Sequence, residues 1–177
     1  MNKIKLSHYK YIVFLLVAIW SCFVASLILP LNTLGIYPRT LFGLIGVPLS
    51  PFLHTNWEHI TSNTVALVIF APLFTLIEGR RALQKVAILV LFSGSLTWII
   101  GRSAIHIGAS GLIFSLYGYL ISLGFFKRKP ILIIVSILIT SFYGYMIFGI
   151  LPGKAHISWE GHLAGFVSGI ILAKSDK

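Results

Sequence analysis

The chain has 177 residues, 57% of them apolar and only 10% charged, with a formal net charge of +10 and a mean hydropathy of +0.94. An ordinary soluble domain carries about 25% charged residues, so this chain lacks the polar surface to coat a water-soluble globule. Its basic residues are scattered in twos and threes between apolar runs, a pattern that orients membrane helices and excludes a nucleic-acid groove. The single cysteine, Cys22, sits inside an apolar run; it rules out an intrachain disulfide and reads as small apolar filler.

A bilayer-spanning helix needs about 20 mostly apolar residues, so about six of them use roughly 120 positions. The composition therefore predicts one all-α domain over residues 1–177, a polytopic bundle of six transmembrane helices. The first predicted span, 11–29, follows Lys3, Lys5 and Lys10 and is longer than a signal-peptide core, so it is retained. A Pro- and Gly-rich connector follows at 30–58. Its apolar stretch 41–49 is too short and broken to cross, and is expected in the outer interface or against the bundle. The remaining predicted spans are 59–77, 86–101, 107–126, 130–151 and 157–173, joined by connectors so short that sequential helices must be antiparallel neighbours. Lys3, Lys5, Lys10, Arg80, Arg81, Lys85, Lys127, Arg128, Lys129, Lys174 and Lys177 then share one side, against Arg39, Arg102 and Lys154 on the other. The positive-inside rule puts both termini in the cytoplasm.

Strongly polar groups inside spans are expensive, so each needs a reason. In this topology His59 and Asn63 lie in the first turns of the second span, Ser110 about one turn into the fourth, and His162 at a similar depth in the sixth. Three segments distant in sequence thus bring His, Asn, Ser and His to one depth in the outer leaflet. A serine hydroxyl is a weak nucleophile until an adjacent base removes its proton, and histidine is the usual base. Hydrolysis of an acyl group also needs donors aimed where the oxyanion forms. His59 and Asn63, spaced i, i+4, point from one helix face into the same volume. The Ser110 amide, in a first helical turn, has no intrahelical partner. Gly161, Gly165 and Gly169 make two successive G-x-x-x-G steps, and Gly111, Ser115 and Gly118 repeat at similar spacing. Packing these small faces together would bring His162 within about 3 Å of the Ser110 hydroxyl. Phe114, one turn beyond Ser110, is placed to stack on the imidazole. Among the four acids, neither Glu58 nor Glu160 is positioned to orient His162, which leaves a Ser–His dyad.

Three motifs, His54-Thr-Asn-Trp-Glu-His59-Ile-Thr-Ser-Asn63, Gly108-Ala-Ser110-Gly111 and Gly161-His162-Leu-Ala-Gly165, together resemble the rhomboid intramembrane serine proteases. The resemblance covers the second to the sixth predicted span, and the six-span size looks like the compact bacterial form. It implies Ser110 as nucleophile, His162 as general base and then acid, and His59, Asn63 and the Ser110 backbone N–H as the oxyanion hole. It further implies a supporting role for His54, a Phe114 standing where the family often has tyrosine, and a structural role for Glu78. The 35–39 stretch also looks family-like. The substrates implied are transmembrane segments of other membrane proteins, cut near the outer leaflet of a bacterial plasma membrane, at a site facing the periplasmic or extracellular side. No cofactor is implied, and the oligomeric state stays open.

Other readings of the same residues weigh less. Gly-x-Ser-Gly is not the soluble hydrolase elbow, because residue 112 is Leu. A metalloprotease is disfavoured: H-E-x-x-H is absent, and His54 and His59 are i, i+5. His106 and His156 are expected to be solvated loop histidines, and Trp57, Trp98 and Trp159 to sit in an aromatic belt. A transporter would want acids or broken helices at the midplane. A catalytically silent client-binding protein of the same fold is the alternative, but such a protein would usually lack the serine or the histidine.

Overall fold

A computed structural model describes residues 6–153 and 157–176. Lys3, Lys5, Lys154, His156 and Lys177, used above for orientation and loop assignment, lie outside the described residues. Among the described residues there is no β-strand, only an isolated antiparallel bridge between Ile36 and His106. Four helical stretches are long and apolar enough to cross a membrane: Leu6–Ser26, Trp57–Ile100, Ser110–Lys127 and Pro130–Ile150.

Helix α1 (Lys10–Ser26) is apolar on every side and buries one stripe, Ile12, Leu15, Ile19 and Phe23, at helical spacing. Val13, Phe14, Val17 and Val24 remain exposed, as a lipid-facing surface requires. The helix ends three residues short of the predicted span 11–29. The connector beyond it is a chain of short helical turns, of which α2 (Gly46–Leu49) is one, and it packs against the bundle. Val47 presses on Gly94, the Trp98 indole donates to the Thr40 carbonyl at 2.8 Å, and Arg39 donates to the Gly101 carbonyl at 2.7 Å.

The longest apolar stretch is two helices, α3 (Trp57–Glu78) and α4 (Ala82–Ile100), separated by Gly79 at φ 57°, a left-handed conformation that glycine adopts without strain. Asn56 caps α3 by accepting the His59 N–H at 2.8 Å. Helix α5 (Ser110–Lys127) is the hub, buried on all sides from Leu112 through Leu120. Helix α6 (Pro130–Tyr143) buries only Leu132, Ser136 and Ile139, and the chain continues as 3-10 helix over Gly144–Ile150. The predicted span 130–151 is therefore α-helical only to Tyr143. Helix α7 (Trp159–Ser175) closes the bundle against α5 and α4.

Between helices in lipid, close packing replaces the hydrophobic effect as the cohesive force. The α5–α7 contact shows how. A Cβ at Gly165 would lie 2.2 Å from the Gly111 carbonyl oxygen, and one at Gly169 would lie 2.0 Å from that of Ser115. The two backbones touch directly, which only glycine at these positions permits.

Candidate active site

Because α5 and α7 meet along their glycines, their first turns lie side by side at one end of the bundle. Ser110 is the first residue of α5, and His162 lies in the first turn of α7. Both line a cavity of about 510 Å³, which is also lined by His59 and Asn63 from α3, by Phe114, and by Tyr145 and Met146 from the 3-10 segment. Among the described residues no hydrogen bond joins the Ser110 hydroxyl to His162. Catalytic hydrogen bonds often tighten only when substrate is bound.

The His162 ring is held on two sides. Phe114 stacks on it with ring centroids 4.2 Å apart and planes 10° from parallel. Its Nδ1–H donates to the Gly149 carbonyl at 2.9 Å, which leaves Nε2 as the basic nitrogen. A backbone carbonyl thus does the orienting that an acid does in a Ser–His–Asp triad. Sequence reasoning missed Gly149, since it searched for acids and a carbonyl leaves no trace in residue type. The glycine itself was the available signal: a Cβ there would lie 2.8 Å from the Phe114 ring.

Opposite Ser110 and His162, the side chains of His59 and Asn63 face the backbone that leads into α5. Gly108 has φ 118°, and a Cβ on it would lie 2.5 Å from His59 Nε2 and 3.4 Å from Asn63 Nδ2. Only glycine combines that dihedral with that proximity. Thr55 Oγ1 lies 3.3 Å from His59 Nδ1. When that hydroxyl donates, the His59 proton sits on Nε2, directed at the 108–110 backbone. The other site glycines, Gly111 and Gly161, bring α5 and α7 together just below, with the Gly161 carbonyl 3.7 Å from where a Gly111 Cβ would be.

His54 joins these pieces. It is fully buried, accepts from Asn63 Nδ2 at 2.9 Å, and places the same Nε2 3.5 Å from the Ala109 N–H. Its ring packs edge-on against His59, centroids 4.9 Å apart. Burial first, and the neighbouring His59 second, push its pKa down to about 4. His54 is therefore neutral at pH 7, which is the state able to accept from Asn63.

One expectation is corrected. His106 is not a solvated loop residue: it is 3% exposed, its Nε2 is 3.1 Å from the Arg102 carbonyl, and its Nδ1 is 2.6 Å from the Ser158 hydroxyl. The bridge to Ile36 carries it inward, and a loop histidine with both ring nitrogens satisfied can be buried. Glu160 pairs with Arg102, away from His162 Nδ1. Among the described residues no group of three or more His, Cys, Asp or Glu is placed to hold a metal ion.

A rhomboid domain profile matches residues 38–175. The chain belongs to the rhomboid family. An uncharacterized protein of Mycobacterium tuberculosis is 37% identical to this rhomboid over 152 residues, covering 81% of this chain and 63% of the relative. An uncharacterized Mycobacterium leprae protein is 35% identical over 139 residues, covering 73% of this chain and 55% of the relative. A Bacillus subtilis protein that carries a provisional rhomboid protease name is 28% identical over 132 residues, 68% of this chain and 61% of its own length. This rhomboid thus spans about 63% of the length of the Mycobacterium tuberculosis relative. It is an integral membrane protein.

Proposed function

We propose that this rhomboid is an intramembrane serine endopeptidase, acting through a Ser110–His162 dyad on transmembrane segments of other membrane proteins. The observation that carries the reading is the shared cavity: Ser110, His162, His59 and Asn63 come from three helices and line one polar space inside a membrane protein. Membership of the rhomboid family supports the same activity. In this reading α1, α3, α4, α5, α6 with its 3-10 continuation, and α7 are six spans, with both termini in the cytoplasm and the cavity toward the outer face of a bacterial plasma membrane.

The chemistry follows from the geometry. A substrate segment unwinds locally, because a helical amide is shielded by its own turn, and helix-breaking residues near the cut lower that cost. Ser110 Oγ attacks the scissile carbonyl while His162 Nε2 takes its proton, and the Gly149 carbonyl steadies the imidazolium through Nδ1–H. The oxyanion is held by the Ser110 N–H, His59 Nε2–H and the Asn63 amide, whose second proton is free because His54 holds the first. His162 then gives its proton to the departing amine, and water cleaves the acyl-enzyme. The cavity supplies that water beneath the membrane surface.

The test is cleavage of a tagged transmembrane substrate by the purified protein in proteoliposomes, comparing wild type with Ser110→Ala and His162→Ala. Cleavage by wild type alone is the expected outcome. A folded wild type that binds the substrate and leaves it intact would instead support the catalytically silent, client-binding reading.

A further inference from the structure

A dyad divided between two helices works only if the helices hold their register along each other. Glycine faces set how closely α5 and α7 approach, and two ring contacts, Phe114 on His162 and Tyr117 on Phe166, bridge them along their length. At the first turns, where the two site residues stand, polar contacts fix the register as well. Four residues supply them, two in the loop before α5 (Arg102 and His106) and two at the start of α7 (Ser158 and Glu160).

The links form a continuous path. Arg102 Nη2 donates to the Ile157 carbonyl at 2.8 Å, and its Nη1 lies 3.4 Å from Glu160 Oε1. His106 donates from Nε2 to the Arg102 carbonyl at 3.1 Å, so its Nδ1 accepts the Ser158 hydroxyl at 2.6 Å. The Ser158 carbonyl in turn accepts the His162 backbone N–H at 3.1 Å. On its other side, His106 exchanges both backbone hydrogen bonds with Ile36, at 2.9 and 3.0 Å, which ties the connector into the same path. Burial holds His106 in its neutral form, consistent with one donating and one accepting nitrogen.

Stability alone is a poor account of this cluster. The Glu160 side chain is 4% exposed, its Oε2 is buried with no hydrogen-bond partner among the described residues, and its Arg102 partner is 36% exposed. Glu160 Oε1 has two long contacts, the Arg102 guanidinium and the Arg102 backbone N–H, both at 3.4 Å. Burying a carboxylate for two such contacts costs more than they return, whereas fixing register is a known use of such buried pairs.

We propose that Arg102, His106, Ser158 and Glu160 form a clasp that sets the register of the His162 helix against the Ser110 loop, and so act as positioning residues for the reaction. The inference rests on the Ser–His reading. Its test uses the full chain in proteoliposomes, with Glu160→Gln, Ser158→Ala and Ser158→Thr beside wild type. The readouts are kcat, KM, the rate of inactivation by a fluorophosphonate, and Tm. A misplacement of about 1 Å costs about 10²-fold in rate. The clasp predicts that Glu160→Gln and Ser158→Ala lower kcat and the inactivation rate by about that factor, with KM moving less. Ser158→Thr keeps the hydroxyl and restores both rates. If instead Tm falls while both rates per folded molecule stay at the wild-type value, or if nothing changes, the clasp is overturned and the cluster is only a brace. Should Glu160→Gln fail to fold, the Ser158→Ala and Ser158→Thr pair decides by the same criterion. An unlabelled, inactive wild type would sink the Ser–His reading itself, whereas a labelled wild type with unaffected variants sinks the clasp alone.

Discussion

The two ends of helix α5 carry polar clusters of opposite character. At the Tyr119 end, Lys85 is bonded to Glu78 and to Asp176, and the Tyr119 hydroxyl reaches both of those carboxylates, with Asp176 at 2.7 Å. No buried side-chain polar atom there lacks a partner among the described residues. At the Ser110 end lie a cavity and two buried side-chain oxygens without a partner among the described residues, Asn32 Oδ1 and Glu160 Oε2. A saturated network holds a fold together. A cavity lined by polar side chains from three helices leaves room for a second molecule.

Four experiments would break or sharpen this contrast. The largest effect is expected at the cavity end, where Ser110→Ala or His162→Ala should cut proteolysis roughly 10⁴- to 10⁶-fold, as for other serine hydrolases. Tm should stay within a degree or two, because neither side chain is part of a saturated network. Next comes the other end. Lys85→Ala strands the buried Glu78 carboxylate and the partly exposed Asp176 carboxylate, and should cost about 3–5 kcal/mol in stability, read by thermal or denaturant unfolding in detergent. Its specific activity per folded molecule should remain near wild type; a selective loss of activity would dissolve the division of labour between the ends.

Removing an oxyanion donor should be milder than removing the dyad. Asn63→Ala is expected to lower kcat about 10²- to 10³-fold, roughly 2.7–4 kcal/mol, with KM little changed. An unchanged kcat would remove Asn63 from the oxyanion hole. The smallest effect is in pH dependence. His54 has its pKa lowered from 6.5 to about 4, so the unfolded chain binds its proton first as pH falls. Its stabilising contribution is complete above about pH 6.5 and is lost as pH drops from there toward 4, up to about 3 kcal/mol. Asp176 behaves otherwise. Burial would raise its pKa, but the Lys85 ammonium and the Tyr119 hydroxyl outweigh burial and hold its carboxyl below the usual range, so it stays charged across that window. Weakening between pH 6.5 and 4 should therefore come from the cavity end, and His54→Gln should flatten it in a Tm-versus-pH series.

What the sequence disclosed, and what it concealed, follows the same division. Family membership is legible in three short motifs, because each needs particular residue types: His and Asn on one helix face, a Gly-rich approach to Ser110, and a Gly-flanked His162. The contacts made by backbone atoms are not legible in this way. The Gly149 carbonyl on His162 and the Ile36–His106 bridge involve atoms that every residue possesses. Long-range ionic partners were hidden as well. Lys85 reads as one more orienting charge, and nothing in the sequence pairs it with Asp176, 91 positions away. The half-helical, half-3-10 character of 130–151 is concealed for a further reason: lipid-facing apolar residues look alike in either conformation.

The central claim is that Ser110 is a nucleophile activated by His162, and the most direct measurement is the site of covalent modification by a fluorophosphonate. The protein would be labelled in proteoliposomes, digested and mapped by mass spectrometry. The account predicts a single adduct on Ser110, absent from Ser110→Ala and strongly slowed in His162→Ala. An adduct on another residue, or a folded wild type that takes up no label, would contradict it.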